Sequence, residues 1–186
     1  MESYVVFPSA ISAELCRDFK AWALKRAPLS EAMIGDEEVD HLMRKSKVSW
    51  PLEDDETHPL VTEASRYVAM AQDRLGLLLG GREEWQFTSY SQGEFYNPHM
   101  DTFLGEDEGD CGDHVRKLSI TVQLSDSDEY EGGNFCFHCA DLAPRKQLRK
   151  IGTVLAFPSF IVHAVRSVTF GTRYSLVGWM HGPDWR

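Results

Sequence analysis

Apolar and polar residues change their period once along this chain, and the change divides it into two halves. Over residues 12–25 the apolar positions Leu15, Phe19, Trp22 and Ala23 recur at the spacing of one helical face, with Ser12 ahead of them as an N-cap. A second helical run over 59–79 uses Leu60, Ala64, Tyr67, Val68, Ala71 and Leu75. Gly80-Gly81 ends that periodicity, and strand-like patterns dominate afterwards. Leu118, Ile120, Val122 and Leu124 alternate with Ser119, Thr121 and Gln123. Such a strand has either a polar side in water or a polar side lining a wet, hydrogen-bonding cavity while its apolar side packs on helices. The strand alone leaves both readings open. A second alternation, Arg173 to Trp179, puts Arg173, Ser175, Val177 and Trp179 on one face. Between them, the apolar run 157–165 with Pro158 near its start predicts two short buried strands joined by a turn.

Composition narrows the class without choosing a function. A chain of 186 residues, 42% hydrophobic and 26% charged, fits one soluble globular domain. We read residues 1–186 as that single domain, with helical support over about 1–80 and a catalytic part over about 84–186. No apolar run approaches the ~20 residues that span a bilayer, and the start Met1-Glu2-Ser3-Tyr4 lacks a secretory pattern, so no membrane partner and a cytoplasmic location are expected. A net charge of −10 argues against nucleic acid as the main partner. The basic stretch 145–150 reads as the solvated face of a hairpin. Cys136 and Cys139 would face opposite ways on a strand, so they read as thiols and not as half of a zinc site. His41, His58, His114, His138 and His181 read as surface or hydrogen-bonded residues. Oligomeric state and source organism leave no mark on the pattern.

The chemistry lies in His99-Met100-Asp101, followed at a distance by His163 and then Arg173. Residues i and i+2 of an extended segment project to one side, so His99 and Asp101 can converge on one ion while Met100 points away. Two imidazoles and a carboxylate can occupy three adjoining corners of an octahedral iron(II), leaving the others for a co-substrate and dioxygen. A buried Arg173 needs an anion, and its planar fork suits a carboxylate. A dicarboxylate that chelates iron at one end and meets Arg173, with the Ser175 hydroxyl, at the other satisfies that need.

With these residues in view, the chain resembles the 2-oxoglutarate- and iron(II)-dependent dioxygenases, in the prolyl 4-hydroxylase-like branch. The resemblance runs from about Trp85 to the C-terminus, through 90–101, 118–125, Glu131-Gly132-Gly133-Asn134 and 152–157. It implies that His99, Asp101 and His163 bind iron, that Arg173 holds 2-oxoglutarate, that Tyr90 reaches this co-substrate and that Trp179 lines its pocket. The implied fold is mainly β with supporting helices (α+β): a double-stranded β-helix, a jelly-roll or cupin-like barrel, backed by the N-terminal helices. The implied activity is hydroxylation of a C–H bond, of a prolyl residue in a peptide or protein, with succinate and carbon dioxide as co-products and ascorbate as reductant. A free amino acid, another small metabolite, or a non-catalytic metal-binding barrel module are the alternatives. Related halogenases lack the carboxylate, so Asp101 favours hydroxylation. Two polar stretches are expected as loops. Residues 31–50 include 44–50, which resembles the family's strand beside the substrate groove. Residues 102–116 are acidic, lack the spacing of a calcium loop, and by their position directly after the first two ligands are a candidate lid.

Overall fold

Each of the two long helices starts where its capping residue can satisfy free backbone N–H groups. In the computed structural model the Ser12 side chain accepts from Leu15 N–H at 3.2 Å, opening α1 (Ala13–Arg26). Helix α2 (Pro59–Leu75) begins with proline, whose missing donor costs nothing there, and His58 Nδ1 accepts from Leu60 N–H at 3.1 Å. It ends at Gly76, which takes the left-handed conformation (φ 66°) that glycine adopts without steric cost. The helix therefore stops short of Leu79, ahead of the Gly80-Gly81 pair. The structure describes residues 2–33, 40–52, 57–80, 82–102, 114–138, 140–141 and 145–185. The candidate lid falls mostly on 103–113, and Cys139 likewise lies outside the described residues.

Among the described residues thirteen strands accompany the helices: β1 (Val5–Phe7), β2 (Ser30–Glu31), β3 (Arg44–Lys45), β4 (Lys47–Ser49), β5 (Glu83–Ser91), β6 (Phe95–His99), β7 (His114–Gln123), β8 (Tyr130–Gly132), β9 (Phe135–Phe137), β10 (Ala140–Asp141), β11 (Val154–Pro158), β12 (His163–Val165) and β13 (Val168–Pro183). One antiparallel sheet runs β1-β11-β7-β13-β5-β4-β2, with β8 joined to β13. The other runs β10-β9-β12-β6-β3.

The mixture of helices and antiparallel strands agrees with the sequence reading, but the jelly-roll or cupin-like barrel does not. Both sheets are open, the first ending on β1 and β2 and the second on β10 and β3. The chain crosses between sheets at short connections, such as Ser46 between β3 and β4 and the turn between β11 and β12, and not by a hydrogen-bonded ladder. Alternation tells which side of a strand faces inward. It carries no information on whether the outer strands of a sheet pair with one another.

The polar stripe of β7 is buried. Leu118, Ile120 and Val122 pack with Phe19, Ala23, Leu60, Ala64, Val68 and Leu176 in the core between the large sheet and the two helices. On the opposite face Ser119, Thr121 and Gln123 are also shielded from water, because the small sheet covers them. Phe135 and Phe137 of β9 meet Phe157 of β11 at 5.6 and 5.0 Å, which closes one end of this polar layer. Within 31–50, residues 44–45 and 47–49 form strands, as the resemblance implied for 44–50, while 145–148 form the short helix α3 (Arg145–Leu148) in place of a hairpin. Arg149 is half-buried, donating to the Gly132 and Tyr130 carbonyls at 2.6 Å each, and so holds the β8–β9 turn. Among the described residues no helix is long and apolar enough to cross a membrane.

Candidate metal centre

His99 ends β6 and His163 begins β12, and the two are direct cross-strand partners in the small sheet. Asp101 follows two residues after His99, where its N–H donates to the Ser159 carbonyl at 2.9 Å. One ligand atom from each of these three side chains lies within 4.8 Å of the others. Among the described residues no other group of three metal-binding side chains gathers in this way.

The donor set fits a divalent cation. His99 Nδ1 lies 2.8 Å from the Asn97 carbonyl and His163 Nδ1 lies 2.9 Å from the Ile161 carbonyl. A carbonyl can only accept, so each Nδ1 carries a proton, which leaves Nε2 as the nitrogen available to a metal. Those Nε2 atoms face the carboxylate, His99 at 3.6 Å from Oδ1 and His163 at 3.5 Å from Oδ2. The separations exceed a hydrogen bond and fall within the ~3–4 Å that two ligands span across an ion bound at ~2.1 Å. Burial would raise the Asp101 pKa, but His163, His99 and the Ser119 hydroxyl outweigh it and hold the carboxyl well below its ordinary value. Burial likewise lowers His163, against the pull of Asp101, and so favours the neutral ligand form.

Neighbouring rings fix the imidazoles. Tyr96 stacks on His99 at 3.4 Å between centroids, and the Arg44 guanidinium lies 4.6 Å from the same tyrosine ring. Phe135 stacks on His163 at 5.4 Å.

Arg173 is 5% exposed and lies across from Tyr90, whose ring is 5.9 Å from the guanidinium. Its Nε donates to Gln123 Oε1 at 3.1 Å, and its terminal nitrogens have no partner among the described residues. Gln123 is oriented in turn by donating from Nε2 to the Tyr130 hydroxyl at 3.1 Å and to the Ser125 carbonyl. Two adjoining cavities meet at Arg173, Phe135 and Leu148, one of them also lined by Thr121 and Gln123. Gly133 makes room here, since a Cβ at its position would stand 3.2 Å from Arg173 Cδ. A buried cation with no acidic partner among the described residues, beside a cavity, fits the far carboxylate of a dicarboxylate.

Set against known proteins, residues 85–181 match the family model of the 2OG-Fe(II) oxygenase superfamily, more than half of the chain. This chain belongs to that superfamily. The region includes all three metal-facing side chains and Arg173. A PKHD-type hydroxylase of Acaryochloris marina is 35% identical over 95 residues, which cover 50% of this chain and 40% of that protein. A PKHD-type hydroxylase of Stenotrophomonas maltophilia is 28% identical over 180 residues, 93% of this chain and 76% of that protein. Relative to the first, and to similar relatives from Prochlorococcus marinus and Idiomarina loihiensis, the chain spans about 40% of the length. The fold is shared with a Pseudomonas putida prolyl-4-hydroxylase (TM-score 0.73, 21% identity, 99% of this chain and 95% of that one). It is shared too with a Trichoplax adhaerens prolyl hydroxylase solved with a peptide fragment of hypoxia inducible factor (TM-score 0.72, 15% identity, 96% and 83%).

Within this superfamily member, the other residues singled out in the sequence separate along β13. Ser175 is buried one step along the Arg173 face, opposite Thr88 and Gln123. Trp179 stands at the metal end, opposite Ser119, with the Arg116 guanidinium 4.2 Å from its ring and Trp50 6.2 Å away. Sequence reasoning did not single out Ser119, Ser159, Gln123, Tyr96 or Arg44. Ser119 and Gln123 had a signal in the polar stripe of β7. Ser159 had none, since it sits in an apolar run and is polar only in its bonding.

Proposed function

We propose that this chain is a 2-oxoglutarate- and iron(II)-dependent dioxygenase, acting as one catalytic domain, that hydroxylates a prolyl residue in a peptide or protein. The observation that carries the reading is the convergence of two Nδ1-protonated imidazoles on one buried, ionised carboxylate, in a molecule whose buried Arg173 has no acidic partner among the described residues. His99, Asp101 and His163 would hold the metal. Arg173 would take the far carboxylate of 2-oxoglutarate, with Ser175 and Tyr90 contributing hydroxyls along its length and Trp179 forming the wall at the metal end. With dioxygen and 2-oxoglutarate, bound iron supplies the oxidising chemistry: one oxygen atom enters the substrate C–H bond and the other enters succinate as carbon dioxide leaves. The protein keeps the two Nε2 atoms available, holds the carboxylate charged, fixes Arg173 through Gln123, and shields the polar layer from water with Phe135, Phe137 and Phe157. Ascorbate would serve as the external reductant.

A peptide substrate is supported by the relatives named PKHD-type hydroxylases and by the peptide in the Trichoplax adhaerens structure. A free amino acid or other small carboxylate is the second reading. It is favoured by Arg44, 8% exposed and with no acidic partner among the described residues, close to the metal-facing histidine through Tyr96. The test is mass spectrometry after incubation with iron(II), 2-oxoglutarate and ascorbate, offering proline-containing peptides in one arm and free proline in another. One added oxygen on a peptide prolyl residue, with succinate formed in equal amount, is the expected result. Oxygen added only to the free amino acid selects the second reading, and metal binding without turnover in either arm removes the enzymatic one.

A further inference from the structure

The carboxylate at the centre of the site is held by a pair of buried hydroxyls. Ser119 Oγ lies 2.6 Å from Asp101 Oδ2, and Ser159 Oγ lies 2.9 Å from Ser119 Oγ. Both serines are almost wholly buried, at 1% and 0% exposure. Their proton directions follow from valence. An ionised carboxylate can only accept, so Ser119 spends its single O–H on Asp101. The Ser119 oxygen must then accept from Ser159, which donates. A donated bond to Ser119 polarises the one that Ser119 gives.

We propose that Ser159 and Ser119 form a hydroxyl relay that positions Asp101 for the metal, holding the carboxylate through a donated bond to Oδ2 in the orientation that faces both imidazoles. This rests on the metal-site reading above. Three features of the fold support it. Ser119 belongs to the large sheet while His99 and His163 belong to the small one, so the relay ties the carboxylate to the sheet opposite the imidazoles. Ser159 grips Asp101 twice, through its hydroxyl by way of Ser119 and through its carbonyl, which accepts from Asp101 N–H at 2.9 Å. Ser159 is itself anchored, its N–H donating to the Lys117 carbonyl at 3.0 Å. The two serines are positioning residues: neither is placed to touch the substrate or to serve as a ligand.

The test is titration of the full chain with manganese(II), a redox-stable probe, followed by calorimetry. Ser119→Ala should weaken manganese affinity by about 10- to 100-fold, as removal of partners that orient metal ligands does. Ser119→Thr, which keeps the hydroxyl, should stay within about threefold of the unaltered chain. Ser159→Ala should lose about threefold or more in the Ser119 background. The same change should lose nothing further in the Ser119→Ala background, because its hydroxyl acts through Ser119. That non-additivity separates a relay from general packing. If Ser119→Ala does not fold by circular dichroism, Ser159→Ala and Ser119→Thr carry the test: equal affinity for Ser159→Ala, or loss in Ser119→Thr equal to its loss of fold stability, would overturn the relay. Ser119→Ala binding manganese within twofold would also overturn it, with the metal site intact. If the unaltered chain binds no divalent metal, the relay and the metal-site reading fall together.

Discussion

At the scale of single residues, the site depends on which groups lack an alternative partner. Asp101 is buried and charged, with two imidazoles and a hydroxyl around it, so removing it leaves two imidazoles alone, too few ligands to hold a metal well. Asp101→Ala is expected to abolish measurable manganese(II) binding by calorimetry and all succinate formation. Arg173 works at the other end. Losing its charge-assisted bonds to a carboxylate, on the order of 1.5–3 kcal/mol each, should raise the 2-oxoglutarate KM of Arg173→Ala by ~10-fold or more. The change in kcat should be smaller, and an unchanged KM would refute the carboxylate role. Gly133→Ala tests the same place from the backbone. At φ +60° a Cβ is strained, and it would press on Arg173 Cδ, so this variant should also raise the co-substrate KM while leaving metal affinity unchanged.

At the scale of elements, the helices do their work by packing behind the large sheet. Phe19 of α1, fully buried, contacts Phe87 of β5 at 6.1 Å and the His58 ring at 4.9 Å. Phe19→Ala should therefore cost ~3–5 kcal/mol of stability, read by urea unfolding. His58 gives the same region a pH dependence. Burial, opposed by the charge of Asp18, holds its folded pKa below the ordinary histidine value of 6.5. Its neutral Nδ1 is the acceptor that caps α2. A depressed folded value means that this stabilisation is fully present above pH ~6.5 and is lost as pH falls through the folded pKa. His58→Asn, which caps without titrating in this range, should flatten the stability curve between pH ~7 and ~5 relative to the unaltered chain. The elements were largely legible beforehand, because helical and strand periods are properties of neighbouring residues. The helix at 145–148 was not, since a short element is decided by what it packs against. Arg149, for example, is drawn inward by two backbone carbonyls from β8.

At the scale of the molecule, the metal-facing groups join two sheets. The histidines come from the small sheet, and the hydroxyl that holds the carboxylate comes from the large one. A cation bound there should stabilise the whole fold by mass action, ~2.7 kcal/mol when manganese(II) stands at 100 times its Kd. Thermal unfolding should therefore shift upward with manganese(II), and the shift should vanish in Asp101→Ala. The sequence by itself determined the candidate metal ligands His99, Asp101 and His163 with Arg173 after them, the two helices, and the apolar core face of β7, because each follows from residue type and local period. Only the tertiary structure decided that the sheets remain open and that the polar stripe is buried. It alone set Ser159, Gln123 and Tyr96 around the site. Those outcomes depend on which distant strands meet, and hydrogen-bond partners far apart along the chain leave no periodic trace in it.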